Sequence, residues 1–174
     1  MLQGGLGCPN CREVYPVTDG AGDLRPPPRL AVEREVLPEP DAEQVDLAQA
    51  LLGLAEGPGE IALVGRAARF GRGLASRIPG LEVVALHPAA LEWDEADGLT
   101  RMVAGVRLPF GDRVFRGVLL EGPDARARLR DAARVLARGH RVVVFDAPEG
   151  TAPMLMASGL TVNLDQDGVV VASR

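Results

Sequence analysis

The chain has 174 residues and a formal net charge of −5, with 47% hydrophobic and 25% charged residues, which is typical of a folded globular protein. All its basic residues are arginine, which excludes Schiff-base and P-loop chemistry because both need a lysine amine. The acidic balance disfavours a generally basic nucleic-acid binder, and we expect a cytoplasmic protein because the sequence has neither a signal-like start nor the roughly 20-residue apolar run of a membrane span.

Residues 1–25 contain both cysteines, Cys8 and Cys11, in the sequence Cys-Pro-Asn-Cys. A CxxC at a tight turn between short strands forms half of a tetrahedral zinc site, because two thiolates at this spacing bind one ion. A redox CxxC would instead begin a helix, whose dipole lowers the thiol pKa. Pro16 and the surrounding run Val-Tyr-Pro-Val favour a strand, so we predict a zinc half-site.

The segment CPNCREVYPVTDGAGDLR resembles the second half of the Trm112-like zinc ribbon, where CxxC is followed by an aromatic-Pro-Ile/Val pair, an Asp-Gly turn and a closing leucine. That family has an earlier CxxC, and nothing before Gly7 supplies one here. The resemblance therefore implies a half zinc ribbon. Three interpretations stay open: a metal-free relic, a zinc ion shared with a second chain, or a truncated N-terminus.

Proline density marks residues 26–40 as a linker, and the alternating run LAVEREV within it predicts one edge strand. Residues 41–174 are predicted to form the main domain. Asp41 is expected to cap a helix with Gln44 in its first turn, and the apolar face of that helix comprises Val45, Ala48, Leu51 and Leu52. Gly57-Pro58-Gly59 is expected to end it.

From residue 60, strand and helix patterns alternate. Predicted strands cover residues 60–65, 82–87, 101–105, 114–120 and 140–146. Predicted helices cover 69–77, 88–95, 124–138, with Gly139 as its C-cap, and 151–158. A hairpin of strands 159–164 and 168–173 closes the chain. This alternation predicts an α/β fold: a doubly wound Rossmann-like sheet with an antiparallel C-terminal hairpin, next to a small N-terminal zinc-ribbon-like β element.

Three stretches of residues 41–174 resemble the type 11 group of class I S-adenosylmethionine (SAM) methyltransferases. VRLPFGDRVFRGVLLEG is similar to the group's LPF-x-D-x-x-F-D-x-V element, and DAARVLARGHRVVVFDAP is similar to its E-A-x-R-V-L-K-P-G-G-x-L-V-V element. ASGLTVNLDQDGVVVASR is similar to the strand–turn–strand that closes these proteins. The resemblance implies the methyltransferase fold, with SAM as the cofactor of an active member.

The resemblance also locates the SAM site, which the family builds from a glycine-rich turn after the first strand and from several acids. The three turn positions fall on Gly65, Ala67 and Arg69. The four acidic positions, including the one that binds the ribose hydroxyls, fall on Leu63, His87, Ala104 and Arg116. A second Gly-x-Gly, at 71–73, lies inside a predicted helix rather than beside a strand end. The implied SAM site therefore has none of its acids.

A carboxylate can accept hydrogen bonds from two ribose hydroxyls, whereas a neutral imidazole offers one acceptor. Losing such a charged contact costs roughly 1.5–3 kcal/mol, and crowding by Ala67 and Arg69 adds to it, so SAM binding is expected to weaken by roughly two or more orders of magnitude. We therefore predict a non-catalytic binding or assembly module, homodimeric or paired with another protein, with doubtful SAM binding. The alternative is an active SAM-dependent methyltransferase acting on RNA, a translation component or a small molecule.

Other polar residues each have a functional and a structural interpretation. His87 is either a general base at a strand end or a polar residue that fills a vacated pocket, and His140 is predicted to be structural. Trp93 is either an exposed binding anchor or an aromatic cap over the sheet edge. The basic helix can face RNA or an acidic partner, or can simply be solvated; its arginines are Arg126, Arg128, Arg130, Arg134 and Arg138.

Overall fold

The computed structural model describes residues 4–9, 12–29 and 35–174. Its helices are α1 (Ala42–Leu52), α2 (Gly71–Arg77), α3 (Ala125–Val135) and α4 (Thr151–Ala157), and short 3₁₀ segments cover Arg66–Phe70 and Pro88–Glu92. Its strands are β1 (Gly4–Gly7), β2 (Val14–Thr18), β3 (Ala21–Asp23), β4 (Gly59–Gly65), β5 (Leu81–Leu86), β6 (Leu99–Val103), β7 (Phe115–Glu121), β8 (Leu136–Phe145), β9 (Thr161–Gln166) and β10 (Val169–Ser173). No helix in these ranges is long and apolar enough to cross a membrane.

The described strands form one sheet with the order β1-β2-β3-β6-β5-β4-β7-β8-β10-β9. Strands β4 to β8 are parallel to their neighbours within that group, and β10 pairs antiparallel with both β8 and β9. From β4 the chain builds outward through β5 and β6, then returns to the other side of β4 as β7. The order therefore reverses between β4 and β7. The predicted doubly wound sheet with an antiparallel hairpin is confirmed.

Residues Ile61–Val64 of β4 are all apolar because helices cover both faces of the sheet. Its side chains alternate between two cores. Ile61 and Leu63 pack with residues of α1 and α2, whereas Ala62 and Val64 pack with residues of α3 and α4. All four are essentially inaccessible to solvent, so the sheet is held by burial on both sides.

The N-terminal strands extend the central sheet. Strands β1, β2 and β3 pair antiparallel in sequence, and β3 then pairs parallel with β6, where Gly22 lies opposite Met102. The buried Arg101 side chain donates hydrogen bonds to the backbone carbonyls of Asp19 and Trp93, which fixes the β2–β3 turn against the sheet. We call β1–β3 the N-terminal ribbon. The predicted edge strand at 30–36 lies mostly outside the described residues.

Two predicted helix ends are wrong. Helix α1 begins as expected, with a capping box between Asp41 and Gln44, but it stops at Gly53, whose φ of 71° forms a left-handed C-cap five residues before Pro58. Helix α3 ends at Val135, and Gly139 lies inside β8 rather than at a helix C-cap. The apolar pattern runs on through Leu136 because β8 enters the core directly from the helix.

Candidate ligand cavity

A cavity of about 190 Å³ opens at the carboxyl ends of the central strands, where the strand order reverses. Ligands of open α/β sheets bind at this position. The cavity is lined by the ends of β4, β5, β6 and β7, by the start of α3 and by one residue of the linker. The polar side chains on its wall are Glu35, Arg66, His87, Glu121, Asp124 and Arg128.

Gly65 makes the turn at the end of β4. Its backbone has φ 71° and ψ −141°, a conformation that L side chains rarely adopt. A Cβ atom at this position would lie 2.4 Å from the carbonyl oxygen of Glu121 on the adjacent strand. The fold itself therefore requires glycine here, whether or not a ligand approaches the turn.

His87 follows β5, at the position that the resemblance assigned to the ribose-binding acid. Its Nδ1 accepts a hydrogen bond from the amide of Ala89 at 3.1 Å, so the ring proton lies on Nε2 when the imidazole is neutral. Nε2 lies 3.4 Å from Oε2 of Glu35. Burial lowers the pKa of His87, and the nearby Glu35 carboxylate opposes that shift. Both ring nitrogens therefore face groups of the protein.

Glu35 connects the linker to the mouth of the cavity. While one of its carboxylate oxygens faces His87, the other accepts a hydrogen bond from Arg66 Nε at 2.7 Å. Glu35 and Arg66 are both roughly half exposed, so their ion pair is screened by solvent and contributes little to stability. Its effect is local: the pair places a carboxylate beside the end of β5.

Arg69 and Glu121 form a forked ion pair below this turn. The Arg69 Nε lies 3.1 Å from Oε2 of Glu121, and a terminal nitrogen lies 3.0 Å from Oε1. The Glu121 side chain is only 8% exposed and that of Arg69 16%, so the pair is largely withdrawn from water. The Arg69 guanidinium also lies 4.7 Å from the centre of the Phe70 ring. Arg69, at the position that the resemblance assigned to a third glycine, is therefore bound to the end of a neighbouring strand.

Arg128 lies on the opposite wall of the cavity, one turn into α3. Its Nε atom is buried and has no hydrogen-bond partner among the described residues. Burial lowers the pKa of its guanidinium, and the charge of Asp124 opposes that shift without a close ion pair. Arg128 is thus a cation that the described part of the protein leaves unneutralised at short range.

The other positions of the implied SAM site separate in the structure. Ala104 lines the cavity with Gly65 and His87. Ala67 is fully buried in the core beside α2, as is Leu63. Arg116 lies near the start of β7, at the far end of the strand from the cavity, and donates hydrogen bonds to the carbonyls of Glu56 and Pro58.

The glycines at 71 and 73 lie in α2, as predicted. A Cβ on Gly71 would come within 2.8 Å of Leu99, and one on Gly73 within 2.9 Å of Val45. These glycines let α2 pack closely against its neighbours. They do not line the cavity at the strand ends.

The five arginines of the predicted basic helix do not form one uniform surface. Arg126 donates to the Glu149 carbonyl, and Arg130 is exposed. Arg134 is engaged by two carboxylates and by two backbone carbonyls of the preceding loop, those of Leu108 and Phe110. Arg138 belongs to β8 because α3 ends earlier than predicted. Only Arg128 of the five lines the cavity.

Cys8, one of the two predicted zinc ligands, lies just after β1, and its backbone hydrogen-bonds with Glu13 and Arg12 across the turn to β2. Its thiol is free and half-buried. Cys11 lies outside the described residues. In the part of the chain that the structure describes, no three His, Cys, Asp or Glu side chains cluster to hold a metal.

His140 and Trp93 have structural surroundings. His140 is half-buried in β8, and burial lowers its pKa, helped by the charge of Arg116. Trp93 is half-buried against the α1–α2 core, which agrees with its interpretation as a capping aromatic. It lines a second cavity of about 320 Å³ together with Arg69 and Leu37. The Arg69–Glu121 pair therefore lies between two cavities.

Several solved structures similar to this chain are methyltransferases. A proposed methyltransferase of antibiotic biosynthesis from Anabaena variabilis has 21% identity and a TM-score of 0.51, over 60% of this chain and 45% of that one. The geranyl diphosphate methyltransferase, solved in complex with SAM, has 15% identity and a TM-score of 0.55, over 76% of this chain and 84% of that one. This chain thus covers less than half of the Anabaena protein.

A third similar structure is the complex between the Haloferax volcanii Trm112 methyltransferase activator and a proposed methyltransferase. It has 16% identity and a TM-score of 0.53, over 74% of this chain and 87% of that one. No protein-family model and no curated protein matches the sequence. At these identities the likeness is one of fold. The chain has the fold of class I SAM-dependent methyltransferases.

Sequence reasoning missed the three carboxylates of the cavity wall, those of Glu35, Glu121 and Asp124. Glu121 ends the apolar run of β7, and an acid at the carboxyl end of a buried strand was an available signal for a residue at the ligand edge. Glu35 gave no such signal, because only the folded linker brings it beside residues that are far from it in sequence.

Proposed function

We propose that this protein is a methyltransferase-fold binding module whose cavity no longer supports SAM-dependent catalysis. The observation that carries the proposal is the position of His87. A ribose-binding acid must present free acceptor atoms to two hydroxyls, whereas one nitrogen of His87 is bonded to the Ala89 amide and the other faces Glu35.

The size of the cavity also supports this proposal. Its volume of about 190 Å³ lies below the roughly 300–1,000 Å³ of ordinary ligand pockets. Glu35 and Arg66 narrow its mouth with a direct ion pair. The small volume and the paired mouth support a cavity that does not accommodate SAM.

The proposal is tested by calorimetric titration with SAM and with S-adenosylhomocysteine. We expect no heat from the wild-type protein at millimolar ligand. A double variant, His87→Asp with Glu35→Gln, returns an acceptor carboxylate to the end of β5 while keeping a residue that can cap the following turn. Glu35→Gln alone is its matched control. Micromolar binding by the wild type would contradict the proposal.

A second candidate is an active SAM-dependent methyltransferase. One observation favours it: Glu35 brings a carboxylate to the end of β5, where the family's acid is missing. Transfer of labelled methyl from SAM to a cellular fraction, lost in Glu35→Gln, would establish this function over the first. Gly65 is a poor site for such a control, because any side chain there would collide with the backbone of β7.

As a binding module, the protein is proposed to act in a homodimer or with a protein partner through its N-terminal ribbon. Strand β1 lies at the edge of the described sheet, and Leu6 and Val14 of the ribbon are 53% and 61% exposed. An unpaired strand edge with apolar side chains favours association. One zinc ion held by Cys8 and Cys11 of two chains would complete four thiolate ligands.

Light scattering and metal analysis of the purified protein test this association. The shared-zinc form predicts a dimer with one zinc ion per two chains, which dissociates in Cys8→Ser. A dimer without zinc would reject the shared metal and keep the pairing. If the protein stays a zinc-free monomer, both alone and after mixing with cellular extract, the result would contradict both the shared zinc ion and the association.

A further inference from the structure

We infer that the cavity is a binding site for a small anion, a carboxylate or phosphate group, which pairs with Arg128. This inference rests on the proposed loss of SAM from the same cavity. Among the described residues that line the cavity, Arg128 is the cation without a close partner.

Three other charged groups of the wall, Arg66, Glu35 and Glu121, are already paired. Arg66 is hydrogen-bonded to Glu35, and Glu121 is held by both donor groups of Arg69. Asp124 is exposed, and it interacts with Arg128 only through its charge at a distance. The ion pairs satisfy Glu35 and Glu121 and leave the Arg128 guanidinium facing the cavity.

A buried polar atom without a partner is costly, and native proteins rarely leave one. The Nε atom of Arg128 is such an atom in the described structure. A guanidinium binds carboxylate and phosphate through two parallel hydrogen bonds. Because Nε itself is closed to solvent, a small anion in the cavity would pair with the terminal nitrogens of Arg128 and neutralise its charge.

The size and polarity of the cavity restrict the ligand further. A volume of about 190 Å³ is smaller than that of ordinary ligand pockets, which suits a small acid and excludes a dinucleotide. Apolar residues, including Val64, Leu86 and Val103, form the floor. The ligand class is therefore a small organic acid or phosphate ester with a short apolar part.

Calorimetric titration with inorganic phosphate and with malonate tests the inference and separates the two anion types. We expect the wild type to bind at least one probe, and Arg128→Gln to lose affinity by about tenfold or more. Arg130→Gln makes the same charge change on the same helix at an exposed position, so it is the matched control and should bind like the wild type. Glu35→Gln should strengthen binding, because it removes a negative charge from the mouth.

Arg128→Lys covers the case in which the glutamine variant does not fold. It keeps the charge but loses the fork, so it should retain only part of the affinity. Equal losses in Arg128→Gln and Arg130→Gln would overturn the inference, as would the absence of binding in both the wild type and Glu35→Gln.

SAM titration distinguishes the two proposals. Micromolar SAM binding contradicts the proposed function, whereas absent anion binding without SAM binding contradicts only this inference.

Discussion

The interiors of the central strands and their carboxyl ends differ in what determines their residues. Inside β4 and β7 the side chains are apolar, buried on both faces and shared between two helix-covered cores. At the ends, His87 and Arg69 occupy positions where the resemblance places residues for a cofactor, and each is bonded to another part of the protein. The fold can therefore persist while the ligand positions change, because burial of the interiors holds the sheet.

The largest loss of stability is expected at Gly65. This residue lies at a strand end, but the fold itself requires glycine there. Gly65→Ala should cost about 1–3 kcal/mol in backbone strain and about 1–3 kcal/mol more for the collision with the Glu121 carbonyl. Gly139→Ala is the matched control, because Gly139 also has a positive φ but has nothing within 4 Å of its added Cβ. Urea unfolding measures both. Equal losses would mean that the collision is relieved without cost.

An interior substitution should come next. Leu119 lies in the middle of β7 and is fully buried, so Leu119→Ala should lower the free energy of unfolding by about 2–5 kcal/mol. Val114→Ala, at a position 41% exposed just before the same strand, should change it by about 0.5 kcal/mol or less. Comparable losses in the two variants would contradict the importance assigned to the strand interiors.

Loss of the Arg69–Glu121 ion pair should have an intermediate effect on stability. Glu121→Gln leaves the Arg69 guanidinium without its charged partner and should destabilise the fold by about 1.5–3 kcal/mol. Glu60→Gln, an exposed acid on β4, is the control. The double variant Arg69→Met with Glu121→Leu should recover part of the loss, since apolar pairs can replace buried ion pairs. No recovery would indicate that the cavity needs the charges.

The smallest expected effect is the dependence of stability on pH. Burial lowers the pKa of His87 in the folded state below its usual value of about 6.5, so the unfolded chain takes up the proton first on acidification. Stability should therefore be complete above pH about 6.5 and should decline below it. His87→Gln should flatten this decline.

Unfolding free energies measured across pH 5 to 8 check that prediction. His140→Gln is the necessary comparison, because burial lowers the pKa of His140 as well. If the stability of the His87 variant declined with falling pH as steeply as that of the wild type, the imidazole at the end of β5 would be charged in the folded state. The effect of Glu35 on the His87 pKa would then outweigh the effect of burial.

Much of the fold could be predicted because its signals are local. The apolar run at Ile61–Val64 and the Asp41 cap each depend on neighbouring residues, and both are found as expected. The end of α1 was missed because the apolar pattern continues past Gly53 to Leu54, which is buried after the helix has ended. Periodicity records which residues are buried and gives no direct signal for the residue where a helix ends.

The cavity was harder to predict because its contacts join distant segments. The resemblance placed Gly65, His87 and Ala104 at one site, and the structure brings these three together. It did not reveal that Arg69 turns toward Glu121, or that Glu35 reaches His87 from the linker. The partners of Arg69 and His87 are determined by long-range geometry that no local pattern encodes.

The pairing of β3 with β6 has a consequence for how the chain is made. Gly22 leaves the ribosome long before its partner Met102, so the N-terminal ribbon must wait while β4, β5 and the helices between them are synthesised. Contacts between such distant segments form slowly and leave strand edges open in the meantime. The N-terminal ribbon therefore finds its place only after β6 has been made, and until then the edges of the ribbon and of β6 are open to misassembly.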